Sequence, residues 1–224
     1  MVIGLISLLG VMRFRKEENL YFEGVMMVAS TIFILILSLF GGIDFLSGIG
    51  MVGGITIFSY AVIKRGGKRG ADKKEGSKIR QGAICVVLLL CVVVAGKFTV
   101  DFAIRVATLA GVSEWIIGAS VIALGTSLPE IIISLVAAGK HKIEMSVGNI
   151  VGSNIFNLMW VLGFAALLNP VRIEFAKIWM DLFIMLILTM MFFVGIIKKH
   201  IGRVEGAAYV GIYILFIIHL LGWF

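Results

Sequence analysis

The stretch Gly125-Thr126-Ser127-Leu128-Pro129-Glu130 lies inside an apolar run covering residues 115–139. A run of that length can cross a bilayer as a helix, and it carries one carboxylate, Glu130, near its middle. A charge at that depth is expensive, and intramembrane acids mark ion or proton pathways. Pro129 removes a backbone donor and Gly125 loosens the helix, which leaves nearby carbonyls without partners. At membrane depth a bound cation can be such a partner. A carboxylate, two hydroxyls and loose carbonyls within six residues therefore read as a cation site in a membrane helix.

The composition agrees. The 224 residues are 60% hydrophobic and 15% charged, with a mean hydropathy of +1.10, whereas soluble domains carry about 25% charged residues. Apolar segments fall at 1–12, 24–40, 45–63, 82–109, 115–139, 145–168, 178–197 and 204–224. The first is too short to cross alone, and the other seven are read as full spans. The fold class is an all-α polytopic membrane protein. Its 27 Gly and 2 Pro suit close helix packing with few breaks. No basic region precedes the first apolar run, so it is not a secretory leader. Cys85 and Cys91 lie on different helix faces, which argues against a disulfide or a metal pair.

The net charge of +7 does not point to nucleic acid, because the basic residues sort by side. Arg13, Arg15 and Lys16, eight residues within 64–80, Lys140 with Lys142, and Lys198 with Lys199 and Arg203 occupy four loops. All four fall on one side if the spans alternate. The other side holds little beyond Arg172 and Lys177. The positive-inside rule makes the rich side, including loop 64–80, cytoplasmic and puts the C-terminus outside. Three regions follow: 1–64, with a partial and two full spans; 65–81, a basic linker; and 82–224, with five spans and the ion-site motif.

The two ends of the chain repeat each other. Ile6-Ser7-Leu8-Leu9-Gly10-Val11-Met12-Arg13 lies over Ala165-Ala166-Leu167-Leu168-Asn169-Pro170-Val171-Arg172, and Ser47-Gly48 falls near Glu205-Gly206. The span at 24–40 runs inside to outside and its counterpart at 178–197 runs outside to inside. The repeats are inverted, an architecture of many secondary transporters. The segment bearing Glu130 has no counterpart here, and GTSLPE occurs once. The expectation is a truncated or separately made portion of a two-repeat carrier: the C-terminal five-helix half plus the end of the first half.

The motifs IGASVIALGTSLPE (117–130) and GNIVGSNIFN (148–157) resemble the second α-repeat of the sodium/calcium exchangers, the calcium/cation antiporter family. The surrounding spans fit that family's second half, and residues 1–64 resemble the end of its first. The resemblance implies Ca²⁺/cation antiport, with Na⁺ as counter-ion, by alternating access around a mid-membrane site. Carried over by position, Glu130 is the central Ca²⁺ carboxylate. Thr126 and Ser127 give hydroxyl and carbonyl oxygens, Ala123 gives a backbone carbonyl to an outer Na⁺ site, and Ser153 and Asn157 add oxygens from the next span. Such a set suits Ca²⁺, which takes six to eight oxygens. Two departures stand out. The first-repeat Glu is absent, leaving one carboxylate against a divalent ion. Asn157 stands where potassium-dependent members have Asp, which points to potassium independence.

The alternatives are a Ca²⁺/H⁺ exchanger, with Glu130 taking the proton, and a non-transporting fragment that needs a first-repeat partner. An intramembrane enzyme is not expected, because no His or Cys accompanies Glu130 as nucleophile or base. No cofactor is expected; the partners are Ca²⁺ and Na⁺, the lipid bilayer and the missing half. Lys97, Asp101 and Arg105 form an i, i+4 charge stripe on one helix. Asp181 is expected to enter its span near the outer surface, where solvation is cheap. Residues 18–24 read ENLYFEG, one residue from a protease site used in protein expression, and nothing above rests on them.

Overall fold

The structure, a computed structural model, describes residues 1–10, 12–14, 18–66, 78–111, 125 and 127–220. Its helices are α1 Val2–Leu9, α2 Glu18–Leu39, α3 Phe45–Gly66, α4 Lys78–Leu109, α5 Leu128–Gly139, α6 Ile143–Phe156, α7 Leu162–Leu168, α8 Phe175–Lys198 and α9 Arg203–Leu220, with a π-helical turn Asn157–Val161 joining α6 to α7. Among the described residues four stretches are long and apolar enough to cross a membrane: Leu20–Leu39, Phe45–Lys64, Ile143–Leu168 and Phe175–Lys198. The chain is a multi-pass integral membrane protein. The expected linker at 65–81 is described only at its edges, where α3 runs to Gly66 and α4 begins at Lys78.

Two compact units form: Met1–Arg69 with Ser134–Phe216, and Gly70–Ile133 with Ile217–Phe224. In the first, two-residue strands close the helix ends. Strand β1 (Met12–Arg13) pairs antiparallel with β4 (His200–Ile201), and β2 (Gly42–Ile43) pairs with β3 (Val171–Arg172). Such short ladders lie below the reach of any periodicity argument, and an all-α reading does not include them. They are the internal repeat made visible. The alignment carries β1 onto β3 and β2 onto β4, so each ladder joins a strand to the other repeat's partner. Equivalent bonds flank them: Phe14 N–H donates to the Lys199 carbonyl at 2.8 Å, and Ile173 N–H to that of Gly41 at 3.0 Å. Lys199 and Gly41 are both left-handed, at φ +61° and +91°. The hydroxyls of Thr31 and Thr189, which the repeat superposes, lie 3.5 Å apart.

The helices meet where side chains are smallest. A Cβ on Gly4 would stand 2.9 Å from the Gly206 carbonyl oxygen, and one on Gly206 3.1 Å from that of Gly4. The repeat-related crossing of α3 with α7 does the same: 2.9 Å from Gly48 to the Gly163 carbonyl and 3.3 Å in return. Lipid supplies no hydrophobic force between helices, so such backbone approach carries the packing. One apolar cluster gathers Ile6, Met12, Val147, Val151, Phe192 and Ile201, and a second gathers Ile34, Ile43, Met51, Ala166 and Leu182. Part of the stretch 18–24 packs against this core. Leu20 is buried, Phe22 stacks on Phe58 at 5.6 Å and Tyr21 meets Phe193 at 5.7 Å.

Helix starts are capped in repeat-related places. Ser47 N–H donates to Asp44 Oδ1 at 2.8 Å, an N-cap bond. Gly202 N–H donates to Glu205 Oε2 at 3.0 Å, the reverse half of a capping box. The Ser47 hydroxyl and N–H hold the Asp44 carboxyl below the usual range. Gly42 sits at φ +136°, and a Cβ there would collide with the Val171 carbonyl. Gly42→Ala is therefore expected to destabilise the fold by about 2 kcal/mol, read as a lower midpoint in detergent unfolding.

In the second unit α4 runs 32 residues. Lys97, Asp101 and Arg105 are all exposed on it. Asp181 is partly buried. It lies nearly two turns inside α8, and its Oδ1 is buried with no hydrogen-bond partner among the described residues. The helix begins earlier than hydropathy suggested, at Phe175, which draws the acid inward.

Candidate functional site

At the decisive hexapeptide helical geometry is interrupted: Gly125 is helical, Ser127 lies in a turn, and a new helix starts at Leu128. Helix α5 opens at Leu128, so Pro129 falls in the first turn, where a missing N–H costs nothing. The Ser127 carbonyl accepts the Ile131 N–H at 3.0 Å and Ser127 itself is exposed. Glu130 lies in the same first turn, partly buried, with its Oε2 atom buried. An acid there is favoured by the positive end of the helix dipole. Gly125 is buried, and a Cβ on it would collide with Val100 of α4. This glycine is set by helix contact. Thr126 and Ala123 lie outside the described residues.

One turn beyond Glu130 on the same face stands Ser134, fully buried. Its Oγ accepts the Asn149 Nδ2–H at 2.9 Å, which ties α5 to α6. Sequence reasoning left Asn149 unassigned and passed over Ser134. The i, i+4 step from Glu130 was the signal that could have found it. On α6, Ser146, Asn149 and Ser153 recur at i, i+3, i+7 and form one polar stripe. Ser146 is fully buried, and its Oγ has no hydrogen-bond partner among the described residues. Ser153 is partly buried and its Oγ donates to the Ile150 carbonyl at 3.1 Å; Asn154 Nδ2 donates to the same carbonyl at 2.8 Å.

Asn157 is exposed and begins the π-helical turn, whose closing bond runs from Leu162 N–H to the Asn157 carbonyl. A π-turn inserts one residue and re-aims the helix beyond it, a device common at functional sites. Nothing in the residue pattern announced it. Each expected residue within the described part thus sits on α5, α6 or the turns beside them, with Glu130 and Ser127 in one compact unit and Ser153 and Asn157 in the other. The donors are carboxylate, hydroxyl, amide and carbonyl oxygens. Oxygen donors of these kinds suit hard cations.

The chain is similar to known proteins in sequence and in fold. The sequence model of the sodium/calcium exchanger protein family matches residues 81–222. The sodium/calcium exchanger MaX1 of Methanosarcina acetivorans is 38% identical over 111 residues, covering 50% of this chain and 32% of that protein. The inner membrane protein YrbG of Escherichia coli is 37% identical over 106 residues, covering 47% and 33%. The solved sodium-calcium exchanger NCX_Mj superposes with a TM-score of 0.80 at 24% identity, over 96% of this chain and 70% of that one. That likeness shows the inverted-repeat transporter fold. The chain spans about a third to a half of the length of the curated relatives it matches. With more than half of its residues matched by the family's own sequence pattern, the chain belongs to the sodium/calcium exchanger protein family.

Proposed function

We propose that the chain provides the second cation-binding repeat of a Ca²⁺/Na⁺ antiporter working by alternating access, with Glu130 as its Ca²⁺ carboxylate. The observation that carries this is an acid with a buried oxygen in the first turn of a short membrane helix, whose next turn is bonded through Ser134 and Asn149 to a helix with a hydroxyl and amide stripe. Thr126, Ser127, Ser153 and Asn157 supply neutral oxygens, and Ala123 a carbonyl for Na⁺. Neutral donors bind a monovalent ion weakly, which lets several Na⁺ compete with one Ca²⁺.

One carboxylate leaves a divalent ion under-compensated in a low-dielectric site. The proposal therefore includes a first-repeat segment that brings a second acid. Asn157, being neutral, makes no potassium site in this reading. The end bearing β1 and β4, with its basic loops, faces the cytoplasm.

The test is radioactive calcium uptake into vesicles loaded with sodium and diluted into sodium-free buffer. Uptake is expected when this chain is co-expressed with an exchanger's first repeat, and is expected to vanish when an ionophore collapses the sodium gradient. Uptake driven equally by a proton gradient would replace sodium by protons. No calcium uptake under either gradient, with both polypeptides present in the membrane, sinks the reading.

A further inference from the structure

The β1–β4 end carries a second feature that cation exchange does not use. Strand pairing sets Arg13 opposite His200, and the Phe14–Lys199 backbone bond holds the next residues together. Two loops far apart in sequence thus bring Arg13, Lys199 and His200 around one cavity of about 420 Å³. A second cavity of about 490 Å³ shares His200 and lies between α8 and α9. Its wall along α8 is apolar, with Leu186, Met190 and Val194, while Lys198 and Glu205 stand at its mouth. Glu205 is committed to its cap on Gly202. Arg13, Lys198 and Lys199 against the single acid Glu205 leave this end electropositive, and like charges gathered at one end call for a counter-anion.

The second cavity contains an independent pointer. Tyr209 lines it and is 3% exposed, yet its hydroxyl has no hydrogen-bond partner among the described residues. A buried hydroxyl left so is costly and wants an acceptor. Depth orders these groups. Tyr209 lies one turn further along α9 than Glu205, about 6 Å deeper at the helical rise. The α8 wall from Lys198 back to Leu186 extends about 18 Å, close to the roughly 15 Å of one leaflet's hydrocarbon.

Cations at the surface, one donor below them and a leaflet-long apolar trough match a single molecule class. We propose that this is a binding site for one anionic phospholipid. Its phosphate lies between Arg13, Lys199 and His200, an ester carbonyl accepts the Tyr209 hydroxyl, and an acyl chain follows the α8 wall. Phosphatidylcholine is disfavoured, because its choline ammonium meets the cationic cavity. Free phosphate fills only the head of the site.

The test is native mass spectrometry of the purified chain from micelles containing equal phosphatidylglycerol and phosphatidylcholine. Preferential retention of one phosphatidylglycerol is expected. Arg13→Gln combined with Lys199→Gln should lower that preference about fivefold per charge removed, while Arg13→Lys keeps it. Tyr209→Phe should weaken phosphatidylglycerol retention with helicity unchanged, and Val194→Trp, which fills the trough, should weaken retention of both lipids. Equal retention of the two lipids by the unaltered chain overturns the proposal. So does a folded double glutamine variant with its preference intact. Should that variant misfold, undiminished retention in both Tyr209→Phe and Val194→Trp overturns it instead. Thermal stabilisation by inorganic phosphate equal to that by phosphatidylglycerol would also refute a lipid.

Discussion

Replacing Glu130 by Gln is expected to weaken Ca²⁺ binding by about 100-fold or more, about 3 kcal/mol, the scale of removing one partner of a buried charge pair. The substitution keeps size and shape and removes only the negative charge. A merely structural Glu130 would tolerate it, because an amide oxygen still accepts hydrogen bonds. A carboxylate facing a divalent ion would not, because the Coulomb attraction is lost where dielectric screening is weak. Glu130→Asp keeps the charge but draws it back by one methylene, and should fall between the two. The measurement is equilibrium binding of radioactive calcium to the complemented protein, with Na⁺ competition as a second readout. Wild-type affinity in the Gln variant would remove Glu130 from the site.

Gly163→Leu is expected to destabilise the folded chain by about 3 kcal/mol, the upper range for overpacking. A Cβ at Gly163 would lie 2.8 Å from the Met51 Cβ and 3.3 Å from the Gly48 carbonyl. Neither is a flexible tip that can swing aside. The repeat makes a matching statement about Gly206, whose Cβ would lie 2.8 Å from that of Ser7 and 3.1 Å from the Gly4 carbonyl. Gly53, also on α3, supplies the control. Nothing lies within 4 Å of a Cβ there, so Gly53→Leu should change stability by no more than about 0.5 kcal/mol. Midpoints in detergent unfolding report all three. Equal effects at Gly163 and Gly53 would show that helix propensity, not backbone approach, sets the cost.

The inverted repeat was legible in hydropathy and in a weak match between residues 6–13 and 165–172. It was legible because both copies answer to the same lipid boundary. Its contacts were not legible. The crossed ladders, the Thr31–Thr189 meeting and the glycine crossings are pairings between distant segments, and one-dimensional patterns do not say which copy touches which. At the site, Glu130 announced itself by charge in an apolar run. The expected helix break shows as a turn at Ser127 after the helical Gly125; only the coordinates put Pro129 in the first turn of the next helix, because a hydropathy run does not show where helical geometry begins. Ser134 was invisible as a short hydroxyl among apolar neighbours until Asn149 reached it. The π-turn at Asn157 left no trace in residue types, since any apolar helix can host one.

Residue chemistry alone pointed to the lipid solvent and singled out Glu130 as the candidate carboxylate, because burying a charge in hydrocarbon is so costly that its presence carries meaning without coordinates. Tertiary structure decided the rest. It gave Pro129 its place in a first turn, gave Ser134 a partner, buried one carboxylate oxygen of Asp181, and drew Arg13 and Lys199 from opposite ends of the chain into one electropositive corner. Each of these depends on which backbones approach within bonding distance, and that is a property of the packed helices rather than of any single stretch of residues.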